Sequence, residues 1–219
     1  MPQHVQCYFD FISPYAYLGW HRAKRELGEN GIALEPMPAL FAAMLNANDT
    51  KGPAEIPAKR IYTWKHVIRL AADLGLPIQP PPAHPFNPLV SLRVVTALPN
   101  LEDRQRAVDA IYAACWQRGE AIQTQEEVAK ALDTAGLPGE RWVEAAGTDE
   151  VKTQLKNTTA EAINKGVFGV PSFVVGEEVF WGQDTVPHVA AYLRGEDPAK
   201  GAVERWRDLP AAVQRRGSA

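Results

Sequence analysis

The order of strands and helices that the sequence predicts constrains the fold of this chain more than any other feature. Apolar residues on both faces of the first segment indicate a buried central strand, and Ser13-Pro14 is a favoured start for the helix that follows it. A second strand follows that helix, and a hairpin with a last helix closes the chain. The predicted elements are a strand over 4–12, a helix from 13 to near 28, a strand over 32–37, strands over 172–175 and 178–181, and a helix over 184–194.

Between these end segments the sequence shows only helical spacing of apolar residues. The first of these helices is predicted to bury one stripe, formed by Ile61, Trp64, Ile68, Ala71 and Leu74. The predicted helices cover 57–75, 88–98, 103–118, 125–135, 139–146 and 149–165, with a proline-rich break over 77–88. The whole order is that of an α/β thioredoxin-like domain, β-α-β … β-β-α, with a large helical insertion, although two separate α+β domains would also fit. We place the thioredoxin-like domain at 1–50 and 160–219 and the inserted helical domain at 51–159.

Composition excludes several classes of function. The net charge is −3, so the chain lacks the basic surface that nucleic acid or a membrane would attract. The first residues have neither a basic segment nor an apolar run, which predicts a soluble, cytoplasmic protein. The only two cysteines, Cys7 and Cys115, are far apart, and the five histidines are scattered, so we expect neither a disulfide framework nor a metal site.

The segment that runs from Phe9 to Leu18 is the first candidate functional site. The N-terminus of a helix stabilises a thiolate, so a cysteine at Ser13 would be a redox nucleophile. Serine occupies that first position and Ala16 the fourth, which makes dithiol–disulfide exchange chemically impossible here. The Ser13 hydroxyl can still donate a hydrogen bond to a thiolate that a ligand brings. The alternative is that Ser13-Pro14 only caps the helix.

Two segments near the C-terminus form a second candidate region. If the Val170–Pro171 bond is cis, the backbone of Val170 can pair with an extended peptide ligand; a trans proline that starts a strand is the alternative. Gln183 and Asp184 lie between the last strand and the last helix. They could surround the charged end of a ligand, or Asp184 could simply cap the helix.

A proline-rich segment over 46–60 contains the remaining candidates, Asn48 and Lys59. Lys59 lies near the start of a predicted helix, where a positive charge opposes the helix dipole. Its position indicates a ligand carboxylate or a nearby acid, and a solvated surface lysine is the alternative.

Five segments together resemble the family of 2-hydroxychromene-2-carboxylate isomerases and kappa-class glutathione transferases, within the DsbA-like branch of the thioredoxin fold. The resemblance covers about residues 4–195. The segments are Tyr8-Phe9-Asp10-Phe11-Ile12-Ser13-Pro14-Tyr15, Gly52-Pro53-Ala54-Glu55-Ile56-Pro57-Ala58-Lys59-Arg60, His84-Pro85-Phe86-Asn87-Pro88, Val167-Phe168-Gly169-Val170-Pro171-Ser172-Phe173 and Phe180-Trp181-Gly182-Gln183-Asp184.

The resemblance implies a homodimer that binds glutathione in the thioredoxin-fold groove. It implies that Ser13 contacts the glutathione sulfur, beside Pro14 and Tyr15, and that Val170, before a cis Pro171, pairs with the glutathione backbone. It implies that Gln183 and Asp184 hold the γ-glutamyl end and that an asparagine contacts glutathione. We place this asparagine at Asn48, with Asn46 and Thr50 as alternatives, and Lys59 matches a basic position of the family. Family isomerases often have arginine directly after this aspartate, whereas here Thr185 follows Asp184, which puts the aromatic-acid substrate in doubt.

The leading functional hypothesis is therefore a glutathione-dependent isomerase of the 2-hydroxychromene-2-carboxylate isomerase type, acting on a small molecule with Ser13 as the catalytic residue. The alternatives are a kappa-like transferase that conjugates electrophiles, a non-catalytic module that binds glutathione or a peptide, and a DsbA-like oxidoreductase relative. We expect Tyr15, Tyr62, Trp64 and Phe86 to face the substrate pocket between the groove and the inserted helices.

Overall fold

The computed structural model describes residues 4–210, so the outermost residues of the predicted thioredoxin-like domain, 1–3 and 211–219, lie outside it. The chain alternates strands and helices at both ends and is helical between them. Its elements are β1 (His4–Phe9), α1 (Pro14–Gly28), β2 (Ala33–Pro38), α2 (Phe41–Ala47), α3 (Pro57–Leu74), α4 (Leu89–Ala97), α5 (Leu101–Tyr112), α6 (Gln125–Thr134), α7 (Gly139–Ala145), α8 (Asp149–Asn164), β3 (Ser172–Val175), β4 (Glu178–Trp181), α9 (Val186–Leu193) and α10 (Glu204–Arg207).

Strands β1 to β4 form one mixed sheet in the order β2-β1-β3-β4. β1 pairs with β2 in parallel and with β3 antiparallel, and β3 forms an antiparallel hairpin with β4. This is the β-α-β … β-β-α arrangement of the thioredoxin fold, so the predicted fold class is confirmed. The carboxyl end of β1 leads directly into α1, which places Ser13 at the edge of the sheet.

β1 is buried on both faces, as its sequence predicts. Cys7 and Phe9 belong to a large hydrophobic core shared with α1, while Tyr8 faces the other side and packs in a smaller core with Met44 of α2 and Ala162 of α8. Helices therefore cover both faces of the sheet, as a parallel strand pair requires.

The structure departs from the prediction at the end of β1, at the start of the helix predicted over 184–194, and at α2. β1 ends at Phe9 rather than 12, because Asp10 turns the chain: its carboxylate accepts a hydrogen bond from the N–H of Ile12 at 3.1 Å, and its carbonyl accepts one from Ser13 at 3.1 Å. Helix α9, predicted to start at 184, begins at Val186 after a 3₁₀ turn over Gln183–Thr185. Helix α2 was not predicted at all.

The predicted apolar stripe of α3 is wrong in part. Ile61 and Ile68 are 60% and 57% exposed, whereas Val67 and Ala71 are buried. Trp64 and Leu74 pack against the same core. The buried stripe thus runs 64, 67, 71, 74: it shares three positions with the predicted stripe and has Val67 in place of Ile61 and Ile68.

The helical segment packs directly on the sheet. A single hydrophobic core includes residues of β1, α1, α4 and α5, and the ring centroids of Phe11 and Tyr112 are 4.9 Å apart. Helix α8 crosses the predicted boundary at 159/160 and contacts β2, α2 and α4. The division into two domains remains a prediction.

Candidate active site

Ser13 is the N-cap of α1, and its hydroxyl oxygen accepts a hydrogen bond from the backbone N–H of Ala16 at 3.2 Å. Pro14 is the first helical residue. The same hydroxyl donates a long hydrogen bond, 3.5 Å, to the backbone carbonyl of Val170. Because this second bond is weak, the hydroxyl hydrogen is available to a stronger acceptor such as a thiolate. Ser13 therefore caps the helix and can also serve a ligand.

The Val170–Pro171 peptide bond is cis, so the alternative of a trans proline is wrong. Val170 and Pro171 are both buried, and the backbone N–H of Val170 has no hydrogen-bond partner within residues 4–210. The carbonyl of Pro171 accepts a hydrogen bond from Gly182 at 2.9 Å. The arrangement leaves one backbone donor next to Ser13 for an extended ligand.

Gly19 allows α1 to approach this proline closely. A Cβ at Gly19 would lie 2.8 Å from Cγ of Pro171 and 3.4 Å from Cβ of Gln183. Gln183 is buried, and Arg22 of α1 donates hydrogen bonds to its backbone and side-chain oxygens at 3.3 Å. Ser13, Pro14, Val170, Pro171 and Gln183 are thus brought together along α1.

Of the other predicted residues, Asp184, Asn48 and Lys59 are exposed. Asp184 is exposed and does not cap α9, whose N-cap is Thr185. Asn48 ends α2, is exposed, and donates its amide to the carbonyl of Met44 at 2.8 Å; Asn46 and Thr50 are also exposed. Lys59 lies exposed in the first turn of α3. In the described part of the chain, no hydrogen bond joins these side chains to Ser13, so their ligand roles stay predictions.

Asp10 is a buried carboxyl at the base of the site that the sequence reasoning did not single out. Its two oxygens accept hydrogen bonds from Ile12 at 3.1 Å and from Phe41, at the start of α2, at 3.0 Å. Burial raises its pKa to about 6, against the lowering effect of these two bonds. Through these two hydrogen bonds, Asp10 links the loop before α1 to the start of α2.

Two aromatic side chains from the helical segment hold the same loop. His84 forms a 2.9 Å hydrogen bond through Nε2 to the carbonyl of Ile12, and Trp116 donates from Nε1 to the carbonyl of Phe11 at 2.8 Å. The His84–Pro85 bond is cis. His84 was part of a quoted segment, but its role depends on a contact across 72 residues that no local pattern shows.

The first turn of α1 also contacts α3. The hydroxyl of Tyr15 lies 3.0 Å from Nδ1 of His66, and the ring of Tyr62 lies 5.6 Å from the same imidazole. Of the four residues expected to face a substrate pocket, Tyr15 and Tyr62 thus group around His66. Trp64 and Phe86 instead contact His84, with ring centroids 5.0 and 6.2 Å from it. Whether a substrate binds there stays a prediction.

The cysteines lie in the core. Cys7 and Cys115 are fully buried, and burial raises the pKa of both thiols. A buried thiol with a raised pKa is a poor nucleophile. Within the described residues, no three His, Cys, Asp or Glu side chains are placed to hold a metal ion, and no helix there has the length and hydropathy to cross a membrane.

This fold and site define a thioredoxin-fold protein whose redox dithiol is replaced by a serine hydroxyl at the helix N-terminus, opposite a cis proline. The family model described as DSBA-like thioredoxin domain matches residues 4–194, and the chain belongs to that family.

The relatives of this chain include both kinds of enzyme that its sequence resembles, kappa-class glutathione transferases and 2-hydroxychromene-2-carboxylate isomerases, and they confirm the resemblance. Human glutathione S-transferase kappa 1 is 28% identical, over 99% of this chain and 98% of that protein. The 2-hydroxychromene-2-carboxylate isomerase of Sphingobium xenophagum is 24% identical, over 88% of this chain and 99% of that protein. The solved structure of a 2-hydroxychromene-2-carboxylate isomerase superposes with a TM-score of 0.80, covering 91% of this chain and 98% of the other at 21% identity.

Proposed function

We propose that this protein is a glutathione-dependent isomerase of the 2-hydroxychromene-2-carboxylate isomerase type. The observation that carries the proposal is the Ser13 hydroxyl at the N-terminus of α1, held 3.5 Å from the carbonyl of Val170 before the cis Pro171. A hydroxyl donor and a helix N-terminus suit a thiolate, and the chain has no thiol of its own at this place.

The residues present fit glutathione. Glutathione is a short extended peptide with a thiol in its middle residue, and the unpaired N–H of Val170 offers it a backbone partner beside Ser13. We propose that Ser13, with Pro14 and Tyr15 beside it, meets the thiol end. Gln183 and Asp184 would hold the γ-glutamyl group, and Asn48 and Lys59 would complete the site from α2 and α3.

The protein's part in the reaction is to hold and ionise a thiol. The Ser13 hydroxyl donates to the sulfur, and the positive end of the helix dipole at the N-terminus of α1 favours its negative charge. Glutathione held there would supply a thiolate nucleophile for reversible addition to an electron-poor carbon of an unsaturated keto acid.

Thr185 stands where family isomerases often have an arginine, and helix α3 offers other cationic side chains for a substrate carboxylate. That helix carries Lys59, Arg60, Lys65 and Arg69 against one acid, so its net charge is +3. Arg60 donates a hydrogen bond to the carbonyl of His84 at 3.1 Å, which holds its guanidinium near the loop before Ser13. These charges support a substrate that carries a carboxylate.

Calorimetric titration with reduced glutathione, near neutral pH, tests the cofactor. We expect saturable binding in the wild type and weaker binding in Ser13→Ala. The absence of binding at millimolar glutathione would contradict the proposal.

A pair of variants separates the two roles of Ser13. Ser13→Ala removes the cap at a cost of about 0.5–2 kcal/mol of stability, whereas Ser13→Gly costs only a few tenths. Both remove the hydroxyl, and a hydrogen bond to a charged group contributes about 1.5–3 kcal/mol, so kcat/KM should fall about 10- to 100-fold in both. Undiminished turnover in the folded glycine variant would exclude Ser13 from catalysis.

A kappa-like transferase is the second candidate, favoured by the similarity to the human kappa enzyme over nearly the whole of both chains. Product analysis distinguishes the two, because isomerisation leaves glutathione unconsumed and conjugation consumes it. Glutathione binding without turnover of any tested electrophile or keto acid would instead indicate a non-catalytic binding module.

We also propose that the protein is a cytoplasmic homodimer in which 1–50 and 160–219 form the thioredoxin-like domain and 51–159 the helical one. The resemblance to kappa-class transferases and isomerases supports the dimer, and sedimentation equilibrium at a mass near twice the 24.1 kDa of the chain would verify it.

A further inference from the structure

Tyr15 and His66 form a hydrogen-bonded pair between the first turn of α1 and helix α3, and the steps above use neither the Tyr15 hydroxyl nor His66. Tyr15 is the second residue of α1, two positions after Ser13, and its hydroxyl lies 3.0 Å from Nδ1 of His66 on α3. Tyr62, one turn before His66, lies beside the imidazole on the same helix, 5.6 Å between ring centroids. Both members of the pair are only half-buried, so a ligand can reach them.

The hydroxyl of Tyr15 is a donor at neutral pH. Burial raises the pKa of Tyr15 above its ordinary value. A phenol has one hydrogen to donate and two lone pairs to accept with. When the imidazole carries its proton on Nδ1, it donates to the phenol oxygen, and the phenolic hydrogen is then left for a third group.

Nucleophilic addition to an unsaturated keto acid creates a need for such a donor. As the new bond forms at the electron-poor carbon, the electron pair of the double bond moves through the conjugated system onto the carbonyl oxygen. When the nucleophile leaves, the pair returns and the double bond is restored. A donor aimed at that oxygen lowers the barrier in both directions, because the charge is present only between the two events.

We propose that Tyr15 is a catalytic residue that hydrogen-bonds the substrate oxygen on which negative charge accumulates, and that His66 is the positioning residue that orients its hydroxyl. The inference rests on the proposed isomerase function and deepens it. No atom passes to the protein in this step: the phenol keeps its proton, and His66 strengthens the phenol as a donor through the bond from Nδ1. The net charge of +3 on α3 favours the same anionic oxygen.

Tyr15→Phe tests the donor directly, because it keeps the ring and removes only the hydroxyl. We expect kcat to fall about 100-fold, the usual effect of removing one such donor. The variant keeps the Tyr15 ring beside the thiol end and removes only the hydroxyl that we assign to the substrate. The dissociation constant for glutathione, measured by calorimetry without substrate, should therefore stay within about twofold of wild type. Tyr192→Phe, which removes a hydroxyl from α9 next to Phe180, is the matched control and should leave both quantities unchanged.

His66 variants distinguish a role in orienting the Tyr15 hydroxyl from a purely structural contact between α1 and α3. His66→Asn places an amide N–H near the position of Nδ1 and should keep kcat within about threefold, while His66→Leu should lose about tenfold. The double variant of Tyr15→Phe and His66→Leu should be no slower than Tyr15→Phe alone, because His66 acts through the hydroxyl. Nitrogen-15 spectra of the imidazole should show the Nδ1–H tautomer in the wild type and its loss in Tyr15→Phe.

Other results would contradict either the role of the Tyr15–His66 pair or the proposed function itself. An unchanged kcat in Tyr15→Phe, or equal losses in His66→Asn and His66→Leu, excludes the pair from catalysis while the isomerase function stands. Weaker glutathione binding in Tyr15→Phe would assign the hydroxyl to the cofactor instead. Absence of turnover in the wild type removes the proposed function and this inference with it.

Discussion

Replacing Asp10 with asparagine should change how the stability of the protein depends on pH. The carboxyl is 2% exposed, and burial raises its pKa from 3.8 to about 6 in the folded chain. Each pKa unit corresponds to about 1.36 kcal/mol, so the difference of about two units is worth about 3 kcal/mol.

The direction of the effect follows from the sign of the shift. The folded chain holds the Asp10 proton more tightly than the unfolded chain does, so the favourable contribution of the protonated carboxyl is complete below pH 3.8. That contribution is lost as the pH rises through about 6, and at pH 7 the buried carboxylate costs the folded state about 3 kcal/mol. Asparagine does not ionise, so the free energy of unfolding of the variant has no pH-dependent contribution from residue 10.

Urea unfolding of wild type and Asp10→Asn at pH 4, 5, 6 and 7 measures the effect. Asparagine offers one oxygen to the two N–H groups of Ile12 and Phe41, which gives a constant penalty of about 1–3 kcal/mol. On top of that constant, the free energy of unfolding of the variant relative to wild type should rise by about 2 kcal/mol from pH 4 to pH 7, because pH 4 already lies just above the unfolded pKa of 3.8. The same difference at all four pH values would refute a buried, ionisable Asp10.

Two further predictions concern packing near the site and the two thiols. Gly19→Ala places a Cβ 2.8 Å from Cγ of Pro171 and should destabilise the chain by about 1–3 kcal/mol and weaken glutathione binding, measured by urea unfolding and calorimetry. Gly28→Ala, in the same helix with no atom within 4 Å of its Cβ, is the control and should be neutral or slightly stabilising; equal effects of the two would refute the close contact. Cys7 and Cys115 should not react with Ellman's reagent in the native protein and should both react in denaturant, because both are buried and their thiol pKa values are raised. Rapid labelling of the folded chain, or reduction of insulin by it, would contradict this.

The order of elements could be predicted because nearly every strand and helix has a clear apolar period and a turn or cap at its end. Helix α2 was missed because it has seven residues and buries only Met44, too short a segment for a period to show. The error on α3 has a different cause. Val67 and Ile68 are adjacent and both apolar, and spacing alone does not say which one faces the core, so Ile61 and Ile68 were placed inside although they are exposed.

The site could be predicted where function resides in one local segment and not where it depends on distant contacts. Ser13 follows from a strand that ends at a Ser-Pro helix start, and the cis state of Pro171 was expected from the resemblance alone. Asp10 and His66 gave no such signal. An aspartate after a strand and a histidine on a helix are common, and their roles appear only when the fold brings α2 and α3 against the first turn of α1.

The helical segment has a larger part in the site than its place in the sequence suggests. The loop before Ser13 is held by a bond from His84 to Ile12 and one from Trp116 to Phe11, and both donors lie within the predicted insertion. A thioredoxin-like part without these helices would keep Ser13 and Pro171 but would lose the two hydrogen bonds that orient the loop before Ser13. The position of the Ser13 hydroxyl relative to Val170 is therefore set by both parts of the chain, and so is any thiol chemistry that depends on it.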